Sequence, residues 1–140
     1  MLNFITVNFK IQTAKLIQQF NQYLVVDTIH LNGKLTMNEN LADLGGIILA
    51  YDAFKMTKQG QGNKLIDGFT PDQRFFLSYA RRDRLMDAPI NISSLYTSGH
   101  SPRIFRVNGP LSNFEPFYKA FNVTEENKLY RKREDRVVIW

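Results

Sequence analysis

The stretch Thr36-Met-Asn-Glu39-Asn-Leu-Ala-Asp43-Leu-Gly45-Gly46 opens the longest helical pattern in the chain, and everything else must pack around it. From about Met37 to Met56 the residues Leu41, Leu44, Ile48, Ala50, Tyr51 and Phe54 form a broad apolar face. Two consecutive glycines inside such a helix each cost on the order of 1 kcal/mol relative to alanine. Close approach of another helix or strand is the usual compensation. Glu39 and Asp43, one turn apart, share a face with Cβ atoms roughly 6 Å from each other. One carboxylate could hold a metal while the other orients a neighbouring ligand. The same letters also spell a capping box, Thr36-x-x-Glu39, which would leave Asp43 an ordinary exposed acid. Spacing alone leaves both readings open.

Upstream, Phe9, Ile11, Leu16, Ile17, Phe20, Tyr23 and Leu24 recur at near-helical intervals, predicting an amphipathic helix over residues 9–26. Thr28 to Thr36 reads as a small β-hairpin, with Asn32-Gly33 supplying a type I′ turn and His30 a surface position. Lys58 to Lys64 reads as a flexible polar loop. Thr70-Pro71 starts a further helix, with threonine as cap and proline in the first turn, carrying Phe75, Phe76, Leu77, Tyr79 and Ala80 inward. Between Asp87 and Asn113 the pattern is irregular and rich in Ser, Gly and Pro, as in a long functional loop. Ser112-Asn113 reads as the cap of a short helix bearing Phe114, Phe117, Tyr118, Ala120 and Phe121. The charged tail closes on Val137-Val-Ile-Trp140, apolar enough to dock.

At 140 residues and 44% hydrophobic content, one core and one domain over residues 1–140 are expected. No run of eighteen apolar residues predicts a membrane span, and the first ten residues lack the form of a signal peptide. Zero cysteines exclude disulfides, thiolate catalysis and cysteine zinc sites. The net charge of +5 is concentrated in Arg81, Arg82, Arg84 and in Lys128, Arg131, Lys132, Arg133, Arg136. Acids interrupt both clusters, so they read as solvated faces and not as a nucleic-acid surface. A complete metal site is also missing: the chain has only His30 and His100, and no H-E-x-x-H.

His30 to Gly46, with Glu39-Asn-Leu-Ala-Asp43-Leu-Gly-Gly at its centre, resembles the second zinc motif of the neprilysin-like zinc metallopeptidases, E-N-x-A-D-x-G-G. Further blocks follow in the family's order. Phe75-Phe-Leu-Ser-Tyr-Ala80 resembles its next helix, and His100-Ser-Pro-Arg-Ile-Phe-Arg106-Val-Asn-Gly-Pro-Leu-Ser-Asn113 its substrate-contact segment. Phe117 to Asn122 and the terminal tryptophan close a resemblance over about residues 9–140. It implies a mainly α fold, the carboxy-terminal lobe of a thermolysin-like zinc peptidase domain with one small hairpin near residues 28–36. It also implies a zinc-dependent metalloendopeptidase acting on oligopeptides. In that frame Glu39 is the third zinc ligand after two upstream histidines. Asp43 accepts a hydrogen bond from a ligating histidine, and zinc-acidified water attacks the peptide carbonyl. His100 donates to the developing oxyanion, and Arg106 holds substrate carbonyls with its planar fork. Each has a plainer counterpart: a surface histidine, and an arginine paired with an acid.

The departures from the family are specific. The first zinc motif, the edge strand that carries substrate and the large roofing domain do not occur in these 140 residues. Ala80-Arg81-Arg82-Asp83 stands where more apolar residues are expected, and Ser98-Gly99 where an acid-proline pair usually precedes His100. The expectation is a carboxy-terminal fragment of a metallopeptidase, inactive alone, with zinc requiring two histidines from elsewhere. Its partners would be peptide substrates and the upstream lobe, with self-association through the apolar surface left exposed. An extracytoplasmic compartment follows from the family. The alternative is a non-enzymatic helical remnant that binds peptides or a protein partner.

Overall fold

The computed structural model describes residues 2–83 and 92–139. Its elements in order are α1 (Leu2–Asn21), β1 (Leu24–Val26), β2 (Ile29–His30), α2 (Met37–Lys55), α3 (Lys58–Gln61), α4 (Pro71–Arg82), α5 (Ile92–Thr97), α6 (Arg103–Leu111) and α7 (Glu115–Phe121). A single 3-10 turn, Arg133–Asp135, follows. The fold is mainly α, as expected, with one two-stranded antiparallel hairpin.

α2 is the central element because it contributes to both hydrophobic clusters. Ile47 and Tyr51 join Phe76, Val107, Leu111, Phe117 and Tyr118 on one side. Leu44 joins Leu16, Phe20, Leu31 and Val137 on the other. Burying each of these large side chains contributes roughly 1.5–3 kcal/mol. Aromatic geometry organises the first cluster: Tyr51 stacks on Phe76 at 5.4 Å, and Phe76 meets Phe117 edge-on at 5.5 Å. α4 enters through a full capping box, in which Thr70 and Gln73 satisfy each other's backbone N–H groups. Leu77 on that helix faces outward, not inward as predicted.

Four other expectations need correcting. α1 ends at Asn21, because Leu24–Val26 pairs with Ile29–His30 and the β-branched end of the pattern becomes a strand. The hairpin therefore turns at Asp27, whose φ is +49°, and not at Asn32-Gly33. Gly33 serves a different need: a Cβ there would stand 2.3 Å from the Ile17 carbonyl oxygen, so glycine lets the chain cross α1 closely. The polar stretch after α2 forms the one-turn α3, capped by Thr57. Ser112 and Asn113 do not cap α7, whose N-cap is Phe114 without a side-chain bond.

Instead they enter a buried polar cluster. Asn113 Nδ2 donates to Gln19 Oε1 (2.8 Å), Gln19 Nε2 donates to Ser112 Oγ (2.9 Å), and the Val137 N–H donates to Asn113 Oδ1 (2.9 Å). These bonds tie α1, the α6–α7 turn and the tail together. Val137 is 2% exposed, so the tail docks as the sequence predicts. Trp140 and residues 84–91, which include the first part of the predicted long loop (87–91), lie outside the described residues. The rest of that loop is ordered as α5 and α6, the latter hidden in the sequence by Gly109-Pro110 near its end.

Candidate functional site

Glu39 lies in the first turn of α2, and Thr36 makes no side-chain cap bond. The Thr36 hydroxyl donates to the Asn32 carbonyl (3.1 Å) and accepts from Asn40 Nδ2 (2.9 Å). The capping-box reading therefore fails, and the Glu39 carboxylate is left facing outward. Its Oε2 meets His100 Nε2 at 3.2 Å, with the two side chains 42% and 59% exposed.

Asp43, one turn later, is far more enclosed, with its side chain 9% exposed. It binds Arg106 from α6 in a bidentate pair: Nε to Oδ2 and Nη2 to Oδ1, both 2.8 Å. These bonds push the Arg106 guanidinium further above its ordinary range, against the opposing effect of burial. The Tyr79 hydroxyl donates to the Arg106 carbonyl at 3.0 Å and so fixes the same turn of α6 from α4. Burial, reinforced by Asp43, pushes the Tyr79 phenol up to about 12. All four residues singled out in the sequence thus meet on one side of α2, although Arg106 lies 63 positions beyond Asp43.

The sequence did not reveal what holds them there. Asn40, between Glu39 and Leu41, is 1% exposed, and its Oδ1 accepts from Ser101 Oγ at 2.8 Å. A chain from Asn32 through Thr36 and Asn40 to Ser101 thereby fastens the residue beside His100 onto α2. The available signal was Asn40's place on the stripe of Leu44 and Ile47, where a polar residue must find a partner. Ser98 Oγ accepts from the His100 N–H at 3.1 Å, so the serine turns the chain where the resemblance expects an acid. Arg82 and Asp83 complete the periphery: Arg82 Nε and Nη2 reach Asp83 Oδ2 at 3.0 and 2.8 Å.

The family model described as Peptidase family M13 matches residues 6–137. The chain belongs to Peptidase family M13. Among its relatives is an endothelin-converting enzyme homolog of Locusta migratoria, 37% identical over 126 residues (86% of this chain). Neprilysin-2 of Caenorhabditis elegans is 40% identical, also over 86% of the chain. The chain spans 17% of the length of either relative. In three dimensions it matches the zinc metalloprotease Zmp1 of Mycobacterium tuberculosis, solved in complex with inhibitor. That match has a TM-score of 0.88 and 35% identity, covering 96% of this chain and 22% of that one.

This is a family of zinc metallopeptidases, and the fold is that of one helical portion of such a domain. Among the described residues no group of three or more His, Asp or Glu side chains is disposed to hold a metal ion. The donors present do not make a zinc site by themselves, since Glu39 and His100 are two groups where a peptidase zinc takes three protein ligands. No helix among the described residues is long and apolar enough to cross a membrane.

Proposed function

We propose that this chain supplies one wall of a zinc endopeptidase site and the contacts that hold a peptide against it. The observation that carries the proposal is the convergence of Glu39, Asp43, His100 and Arg106 on one side of α2. The frame is one that matches a zinc metalloprotease closely. In this reading residues 1–140 form one domain, the carboxy-terminal part of a catalytic domain, and act only with the upstream lobe that bears two histidine ligands. Glu39, uncommitted to a cap and half exposed, is the third ligand. Bound zinc would supply the Lewis acidity of such a site.

The chain's own residues then divide the remaining work. Asp43 has two tasks. It anchors Arg106, and its oxygens keep lone pairs to accept from a ligating histidine, which fixes that ring's tautomer. Arg106 spends Nε and one Nη2 hydrogen on Asp43, leaving Nη1 for a substrate carbonyl. His100 stands at the edge of the site, within reach of a carbonyl oxygen whose charge grows in the transition state. Ala42, Gly46, Leu49 and Ala50 leave an exposed face on α2. We assign that face to the upstream lobe and, in its absence, to self-association.

The test is zinc content and peptidase activity of the 140-residue chain alone and mixed with an upstream lobe carrying the H-E-x-x-H helix. Activity only in the mixture, lost on Glu39→Ala, is the expected outcome. Absence of both zinc and activity in the mixture would leave the alternative, a non-enzymatic helical domain that binds peptides or a protein partner.

A further inference from the structure

A groove of about 400 Å³ lies between α4, α6, α7 and the tail, and no residue of α2 lines it. It shares no residue with the Glu39 cluster or with the face given above to the upstream lobe. Its lining is mostly apolar, with Phe76 and Leu77 of α4, Leu111 of α6, and Phe117 and Phe121 of α7. Phe76 is 1% exposed and Leu77 43%, so the lining runs from the aromatic core out to the surface. Tyr118 fixes the wall made by the tail: its hydroxyl accepts from the Arg131 N–H at 2.7 Å and stands 3.1 Å from the Leu129 carbonyl oxygen. The groove is thus preformed, at the lower end of the roughly 300–1,000 Å³ of small-molecule sites.

Polar side chains enter the lining at Asn108, Asn127 and Lys128. Among the described residues Lys128 is the only charged member, and no acid lines the groove. Lys128 is exposed and makes no ion pair among those residues. Asn127 Oδ1 is spent on the Thr124 N–H at 2.7 Å, which leaves its Nδ2 group to donate. Glu125, from the same turn, is engaged elsewhere, accepting from the Tyr130 hydroxyl at 3.2 Å. The unspent groups that the tail contributes are therefore donors, one of them charged, and they complement an anion. The apolar part argues against a peptide, whose backbone would bring several N–H and C=O groups to walls with few partners. An alkyl chain brings none. Taking a methylene as about the size of a water, roughly 30 Å³, the groove holds about ten to twelve carbons and a head group.

We propose that this groove binds a medium-chain fatty acid, with the alkyl chain against Phe76 and Phe117 and the carboxylate against Lys128 and Asn127. The site stands independently of the peptidase reading, since none of Glu39, Asp43, His100 and Arg106 lines it.

The test is an NMR shift titration of the 140-residue chain with octanoate, decanoate, 1-decanol and a capped Leu-Phe dipeptide, each below the concentration at which it self-associates. Decanoate should bind about tenfold more tightly than octanoate, the increment of two buried methylenes. It should also bind about tenfold more tightly than 1-decanol, from the charge-assisted contact. The largest shifts should fall on the amides of Leu77, Val123 and Lys128. Lys128→Ala should bring decanoate down to the affinity of the alcohol, and Leu77→Glu should abolish binding of both. Equal affinity for decanoate and 1-decanol, a carboxylate advantage that survives Lys128→Ala, or binding of neither would overturn the proposal. So would preference for the dipeptide over decanoate, which would make the groove a peptide site. Because the unsubstituted chain already separates these ligands, a variant that fails to fold does not obscure the answer.

Discussion

Asn40→Ala tests whether the buried bonds beside the site hold the His100 segment in place. The amide donates to Thr36 Oγ1 at 2.9 Å and accepts from Ser101 Oγ at 2.8 Å. Truncation leaves Thr36 with its bond to the Asn32 carbonyl, but it orphans Ser101, a residue only 4% exposed. An unsatisfied buried hydroxyl costs about 1–3 kcal/mol. A residual void of roughly 30 Å³ adds about 0.7 kcal/mol at ~24 cal/mol per Å³. Alanine's better helix propensity returns about 0.6 kcal/mol. The net loss is therefore about 1–3 kcal/mol, and for a chain of this size that lowers Tm by roughly 4–12 °C. Calorimetric melts would measure it, with amide hydrogen exchange following residues 98–106. Ser101→Ala should cost less than Asn40→Ala, and the double variant less than the sum, because no hydroxyl remains to be orphaned. A Tm for Asn40→Ala unchanged within about 2 °C, or strict additivity in the cycle, would refute the reasoning.

Other expected outcomes follow from neighbouring geometry. Arg106→Ala should lower the urea midpoint by the equivalent of about 2–4 kcal/mol, because Asp43 is enclosed and its other cation, Arg82, stands 4.0 Å away. A midpoint within experimental error of the parent would show that the pair contributes nothing. Gly109→Ala should destabilise by about 1–3 kcal/mol, since its Cβ would stand 2.4 Å from Cζ of the fully buried Phe20. Gly46→Ala, facing open space, should stabilise the isolated chain by up to about 1 kcal/mol and weaken pairing with an upstream lobe. Thermal melts and a binding titration would check this contrast. The Tyr79 phenol, raised from 10 to about 12, favours the folded state below pH 10. That contribution fades as pH rises from 10 toward 12. The Tyr51 phenol is raised to about 12 as well, so urea melts across pH 9–12 should show a decline that Tyr79→Phe reduces, and an unchanged decline in that variant would exclude the residue as a source.

The sequence alone determined the local matters. Helical periodicity placed α2, Thr70-Pro71 placed the start of α4, and the motif blocks named Glu39, Asp43, His100 and Arg106. Those signals are short in range, or carried by residue types whose chemistry is specific. Only the tertiary structure decided how polar residues were used. Thr36 and Glu39 spell a capping box, yet the Thr36 hydroxyl is taken by Asn32 and Asn40, each four positions away, and the Asn40 side of that competition is fixed by its burial against Ser101. Asn32-Gly33 spells a hairpin turn, yet it opens the turn that leads into α2, and the glycine is needed because α1 passes too close for any Cβ. Asn40 lies on the buried stripe of α2, but nothing periodic marks Ser101 as its partner, and 61 positions separate them. Burial decides whether such a residue is loop decoration or the fastening of a site, and burial is a property of the assembled fold.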